Sequence, residues 1–227
     1  MTDEILVIED LHKIYGEGTS NEVHALQGVN LRVKKGEMIA IMGPSGCGKT
    51  TLLNIIGGLD VPTSGTIKVN NIDISTFSDA EMTVFRRDNV GYVFQLFNLF
   101  DYMSALENVM IPLLTQRMHY SEATRQATNI LREVGLGDRV HHKPVELSGG
   151  QQQRVAISRA LVTQPAIILG DEPTGDLDSV TSEDILEMFR RINVDNNQTL
   201  IIVTHSKWIG EQCDRIIKLH DGKVMME

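Results

Sequence analysis

Residues 43–50 read GPSGCGKT, a string whose glycines leave backbone N–H groups open and whose last two positions supply an ammonium and a hydroxyl. It matches GxxxxGK[ST] directly after an apolar run at 38–42 and before a helical pattern at 51–56, the context in which such a loop surrounds phosphate oxygens. Gly43, Ser45, Gly46, Cys47, Gly48 and Thr51 would line the phosphates of a nucleotide. Lys49 would sit between the β and γ phosphates, and Thr50 would place its hydroxyl on Mg2+. A second string, IILGDE at 167–172, is an apolar strand ending in two carboxylates, and strand ends are where α/β folds hold their ligands. Asp171 is the candidate for the Mg2+ shell, and Glu172 for polarising an attacking water.

The elements that must position these groups are readable from periodicity. Three strand patterns precede the loop: 5–8, the alternation Val29, Leu31, Val33, and 38–42. After the helix at 51–56, residues 65–74 return to strand alternation with a turn at Asn70 and Asn71. Ser78 with Glu81 and Ser104 with Glu107 have capping-box spacing, which predicts a helix from each serine. A third helix is expected from near Ser121, because Ala123, Ala127, Ile130, Leu131 and Val134 fall on one face. Beyond Pro165 strand and helix alternate: 167–169, a helix carrying Ile185, Leu186, Phe189 and Ile192, a strand at 200–203, and strand-like runs at 216–219 and 223–226. That order predicts an α/β chain around a mostly parallel sheet.

Residues 147–154 read LSGGQQQR, in which Ser148 and Gln151 open another helix whose glycines leave a bare, anion-attracting N-terminus. With this string added to the first two, the chain closely resembles the ABC ATPases over about residues 5–224. The resemblance implies a P-loop NTPase fold of the ABC-ATPase type in a single domain over 1–227. A RecA-like core and an antiparallel β-subdomain would occupy about 1–95 and 166–227, and a helical lobe about 96–165. It implies that Ser148, Gly149, Gly150 and Gln151 grip the γ-phosphate bound to a second copy of the chain, so that two ATP molecules are sandwiched head to tail and hydrolysed to ADP and phosphate. Tyr15 matches the aromatic residue that stacks on adenine; as a lone residue it would be a strand-end tyrosine packed on the core. Gln95 matches the glutamine that senses Mg2+ and the attacking water, and His205 in IIVTHS matches the switch histidine that contacts the γ-phosphate. Asp178 in GDLD matches the loop that communicates across the dimer, and equally reads as a helix N-cap. Within the family, GEGTSNEVHALQGVNL and NIIGGLDVPTSG are similar to ATPases of lipoprotein-release and macrolide-exporter systems, while Gly170, Asp176 and Ser206 depart from the usual Ala, Asn and Asp.

Composition bounds the partners. A net charge of −9 argues against a general nucleic-acid binder, which would need clustered Lys and Arg. Cys47 and Cys213 show no metal or redox spacing, which fits a reducing compartment. The longest uncharged run, 89–100, falls short of the roughly 20 apolar residues of a membrane span. The resemblance therefore implies a cytoplasmic ATPase held on the inner face of the cell membrane by a separate transmembrane permease subunit. A DNA-repair or chromosome-structure ATPase would need a long coiled coil between the phosphate loop and the LSGGQQQR string, and an ABC translation factor would carry two cassettes. An ATPase that drives a force-transmitting membrane complex, as in cell division, stays open as the alternative. Two surface expectations complete the reading. Cys47, beside Lys49 and a helix N-terminus, is either a reactive thiol or a small residue fitted to a tight loop. Tyr92 and Phe94 read as strand core, whereas Phe97, Phe100 and Tyr102 either form an exposed socket for a helix of the membrane subunit or pack inward.

Overall fold

The structure, a computed structural model, describes residues 3–225. Near the N-terminus two long strands, β1 (Glu4–Tyr15) and β2 (Val23–Lys34), pair antiparallel, and β1 pairs on its other side with β4 (Ser64–Val69). A two-residue turn joins β4 to β5 (Ile72–Asp73), and Asn70 and Asn71 both take positive φ there, 51° and 63°, the backbone that a tight hairpin between right-twisted strands requires. The second sheet has the order β10-β9-β3-β8-β7-β6. β3 (Met38–Met42), β6 (Val90–Phe94), β7 (Ile167–Asp171), β8 (Thr199–Val203) and β9 (Arg215–His220) run parallel, and only the short β10 (Lys223–Val224) is antiparallel. Met226, the end of the last expected strand run, lies outside the described residues.

Both faces of the parallel sheet are covered, which is why β3, β7 and β8 are near-continuous apolar runs rather than alternating ones. Successive side chains serve opposite cores. Ile39, Ile41, Leu169, Ile201 and Val203 pack with helix α1 (Lys49–Ile56) and the antiparallel sheet. Met38, Ile168, Leu200 and Ile202 pack with α3 (Ala105–Thr115), α4 (Tyr120–Glu133), α5 (Gly149–Leu161) and α6 (Ser179–Asn196). Each such buried Ile or Leu contributes about 1.5–3 kcal/mol of transfer free energy. A one-residue slip of any strand would exchange the two sets.

The three serines with capping-box spacing all cap. Ser78 opens α2 (Asp79–Asn89), Ser104 opens α3 and Ser148 opens α5, each accepting from the amide three residues on while that residue's side chain accepts from the serine amide. Helix α4 starts one residue before Ser121, with His119 as an N-cap that makes no side-chain cap bond. Tyr92 packs against the core that holds α1, its hydroxyl donating to Asn54 Oδ1 at 2.9 Å, whereas Phe94 departs from the core expectation: it lies half-buried outside both cores, its ring stacked 4.3 Å from that of Tyr92. Among the described residues no helix is long and apolar enough to cross a membrane.

Candidate functional site

Because β3, β7 and β8 are parallel neighbours, the segments that leave them open at one end of the sheet: the glycine-rich loop, the acidic pair and His205. Gly48, at φ 101°, is the N-cap of α1 and offers no capping side chain, and a Cβ there would lie 2.4 Å from the Ala25 carbonyl oxygen. The first-turn amides of α1 are thus left for a ligand. Lys49 Nζ donates to the carbonyls of Gly43 and Pro44 at 2.8 Å each, which folds the ammonium back across its own loop. Ser45, Gly46 and Thr50 are exposed. Cys47 is not: it is 4% exposed and packs into the core, so the reactive-thiol expectation gives way to the fitted-residue one.

The Thr50 hydroxyl lies beside the carboxyl of Asp171, whose pKa burial and then the neighbouring Glu172 charge push up, opposed by Thr50 and Lys49. A hydroxyl and a carboxylate, without a wider cluster of acidic or nitrogen ligands among the described residues, match the donor set of Mg2+, which takes one or two protein oxygens and completes its shell with water and phosphate. Glu172 sits at φ 46°, a left-handed backbone costing on the order of 1 kcal/mol or more. Its amide donates to Val203 O at 2.9 Å, and its carboxylate lies 2.8 Å from His205 Nδ1. The His205 ring is largely in solvent, whereas the Glu172 side chain is mostly covered. A carboxylate paired with an exposed imidazole at a strand end can orient a water and pass on its proton.

Tyr15 is also brought to this end. Its hydroxyl donates to Asp60 Oδ2 at 2.6 Å and meets the Thr51 hydroxyl of α1, and at 40% exposure the ring is not packed into the core. Gln95 is exposed and donates to Asp176 Oδ1 at 3.1 Å, which ties the end of β6 to the segment after Glu172. Asp178 is an N-cap, accepting from the amide and hydroxyl of Thr181 at the start of α6. Ser148 and Gln151 spend their side chains on one another's backbone, so the bare terminus expected at α5 is reduced to the amides of Gly149 and Gly150. Gly150 packs so close to Thr181 that a Cβ would lie 2.4 Å from its methyl group. Among the described residues no hydrogen bond or ion pair joins Ser148, Gly149, Gly150 or Gln151 to residues 43–50.

Several side chains that organise this region escaped the sequence reading. Asp60 and Lys13 brace Tyr15, Asp176 holds Gln95, and Arg159 of α5 donates to the carbonyls of Phe97 and Asn98, two consecutive residues at positive φ. Gln153, fully buried on α5, donates to Pro173 O beside Glu172. The readable signal was Lys13, which occupies an inward position of β1 after Leu11 and so demands an acidic partner.

Comparison with known proteins agrees with this geometry. Residues 26–175 match the family described as ABC transporter. The lipoprotein-releasing system ATP-binding protein LolD of Legionella pneumophila is 46% identical over 224 residues, covering 99% of this chain and 98% of that protein. An uncharacterised ABC transporter ATP-binding protein of Methanocaldococcus jannaschii is 45% identical, over 98% of this chain and 96% of that one. Its solved structure, a dimeric post-hydrolysis state bound to ADP and phosphate, superposes with a TM-score of 0.88 at 44% identity over 97% of each chain. With the GPSGCGKT, IILGDE and LSGGQQQR segments in place on a matching fold, the chain belongs to the ABC transporter family and is one of its ATPases.

Proposed function

We propose that the chain is the ATPase of a lipoprotein-release or macrolide-exporter type system, working as a head-to-tail pair on a separate transmembrane subunit. The observation that carries this reading is the division of the site. Lys49, Thr50, Asp171, Glu172 and His205 gather at one end of the parallel sheet, while among the described residues no hydrogen bond or ion pair joins the α5 N-terminus at residues 148–151 to the loop at 43–50. A γ-phosphate on the first group needs a second copy to receive the other. The similarity to LolD, and to the macrolide export protein MacB of Bdellovibrio bacteriovorus at 43% identity, supports the subgroup. MacB carries a permease in the same chain, and this chain spans 33% of its length.

In the mechanism the loop amides and Lys49 hold the phosphates. Thr50 and Asp171 would hold Mg2+, which when bound neutralises phosphate charge. Glu172 accepts the proton of the attacking water with His205 fixing its carboxylate, and Gln95 reports the state of the site through Asp176 to the segment that ends at Asp178.

The partner surface proposed is the exposed pair Phe100 and Tyr102, whose rings lie 6.2 Å apart, with Leu96 beside them in the chain. Phe97 does not belong to it as expected: it is half-buried at φ 59° and lies behind Gly149. Co-purification and identification of the membrane subunit tests the assignment. A Phe100→Ala chain should hydrolyse ATP alone within about twofold of the parent but lose stimulation by the subunit on the order of tenfold. Normal coupling would move the socket elsewhere, and recovery of a cell-division partner would favour the force-transmitting alternative.

A further inference from the structure

One carboxylate outside the phosphate cluster is shared between two residues of β1. Asp60, in the loop after α1, accepts from Lys13 Nζ at 2.6 Å on Oδ1 and from the Tyr15 hydroxyl at 2.6 Å on Oδ2, while the Val61 amide adds a third bond at 2.7 Å. Lys13 Nζ also donates to Val61 O and stands over the Tyr15 ring, 4.7 Å from its centroid. Lys13 and Tyr15 are two apart on β1, across a break in its register with β2 between Lys13 and Ile14, and both side chains reach Asp60. One side of the ring is thereby covered by an ammonium. The ring as a whole is still 40% exposed.

We propose that Asp60 is a positioning residue for the nucleotide base: it locks the Tyr15 ring through its hydroxyl and, with Lys13, closes one ring face so that the base stacks on the other. The proposal rests on the reading of Tyr15 as the base platform and deepens it. An unanchored tyrosine at a strand end would exchange rotamers, and that freedom would have to be given up on binding; the Asp60 bond removes it in advance. The carboxylate is suited to the task. Burial would raise its pKa, but the bonds from Lys13, Tyr15 and the Val61 amide outweigh this and hold it below the usual value, so it stays ionised. Burial and then Asp60 push the Tyr15 hydroxyl pKa up, so the phenol remains a donor. Stacking is indifferent to which base supplies the π face, so the clamp serves affinity for any nucleotide rather than a choice among purines.

The test measures equilibrium affinity for ADP, GDP and inorganic pyrophosphate, the last having phosphates and no base. Asp60→Ala should weaken ADP and GDP alike by about 3- to 10-fold and leave pyrophosphate unchanged. Tyr15→Ala should weaken both nucleotides on the order of tenfold or more, and adding Asp60→Ala to it should cost nothing further, because the ring through which Asp60 acts is gone. Asp60→Ala also strips a mostly buried Lys13 of its partner. Should that chain fail to fold, Tyr15→Phe, which removes the hydroxyl alone, replaces it, with a several-fold loss for ADP and none for pyrophosphate expected. Nucleotide affinities within about twofold of the parent in the Asp60 or Tyr15→Phe variant, an equal loss for pyrophosphate, or a full additive loss in the double variant would overturn the proposal alone. A Tyr15→Ala chain with unaltered ADP affinity would overturn the platform reading and the proposal with it.

Discussion

At Cys47 the place in the chain and the place in space point in opposite directions. The residue stands one position from Lys49's glycine, next to a helix N-terminus, yet its side chain is in the apolar core, and reagents meet side chains, not sequence neighbours. Cys213 reaches the same inertness by another route: its Sγ donates to Ile209 O at 3.4 Å, and burial followed by the charge of Asp214 pushes its thiol up to about 12. Since the thiolate is the nucleophile, Cys213 stays protonated at every pH below that value in the folded chain and ionises near its ordinary value once unfolded. Maleimide at neutral pH should therefore label native protein at least about 100-fold more slowly than denatured protein, and ATP should make no difference. Rapid labelling of Cys47 in the native chain, slowed by ATP, would show that the loop opens enough to expose it.

Among the elements, α5 does the most joining. It begins with the Ser148 capping box, buries Gln153 against the Pro173 carbonyl, and near its end sends the planar Arg159 guanidinium to Phe97 O and Asn98 O. Those two carbonyls belong to residues at φ 59° and 49°, a backbone that persists only where neighbours over-determine it. Arg159→Lys keeps the charge but loses the fork, and should lower unfolding stability by about 1–2 kcal/mol in denaturant titration. Proteolysis around residues 95–103 should also become faster, and an unchanged stability and cleavage pattern would show that the loop holds itself. The contrast between these features explains what was legible beforehand. Capping boxes at Ser78, Ser104 and Ser148 were readable because both partners lie three residues apart, and the β4–β5 turn because Asn70 and Asn71 tolerate positive φ. The phosphate loop and the acidic strand end were readable for the same local reason. The Tyr15–Asp60, Gln95–Asp176 and Arg159–Asn98 contacts span 45, 81 and 61 residues, and no local rule pairs them. The exposure of Phe100 and Tyr102 but not Phe97 likewise depends on how one loop lies against α5, where Gly149 leaves room for the Phe97 ring.

For the whole molecule, the two cores of the parallel sheet give the arrangement its logic. One core sets α1 and the phosphate loop against the antiparallel sheet that carries Tyr15, and the other sets α3 to α6 against the opposite face. The helix that offers Gly149 and Gly150 is thus carried by different packing from the loop that offers Lys49. In the proposed mechanism ATP is the joint between two copies, and hydrolysis would release it. The solved structure of the Methanocaldococcus jannaschii relative, bound to ADP and phosphate, is dimeric.

Glu172→Gln tests this directly. The substitution keeps the size of the side chain and one acceptor oxygen, turns the other oxygen into an NH2 donor and so removes the base, and leaves the groups of Lys49, Thr50 and Asp171 untouched. In size-exclusion chromatography with ATP and Mg2+, the variant should elute as a dimer and its turnover should fall on the order of 100-fold or more, while the parent under the same conditions returns to monomer as ATP is consumed. A Glu172→Gln chain that stays monomeric with ATP and turns over at near the parent rate would contradict the account.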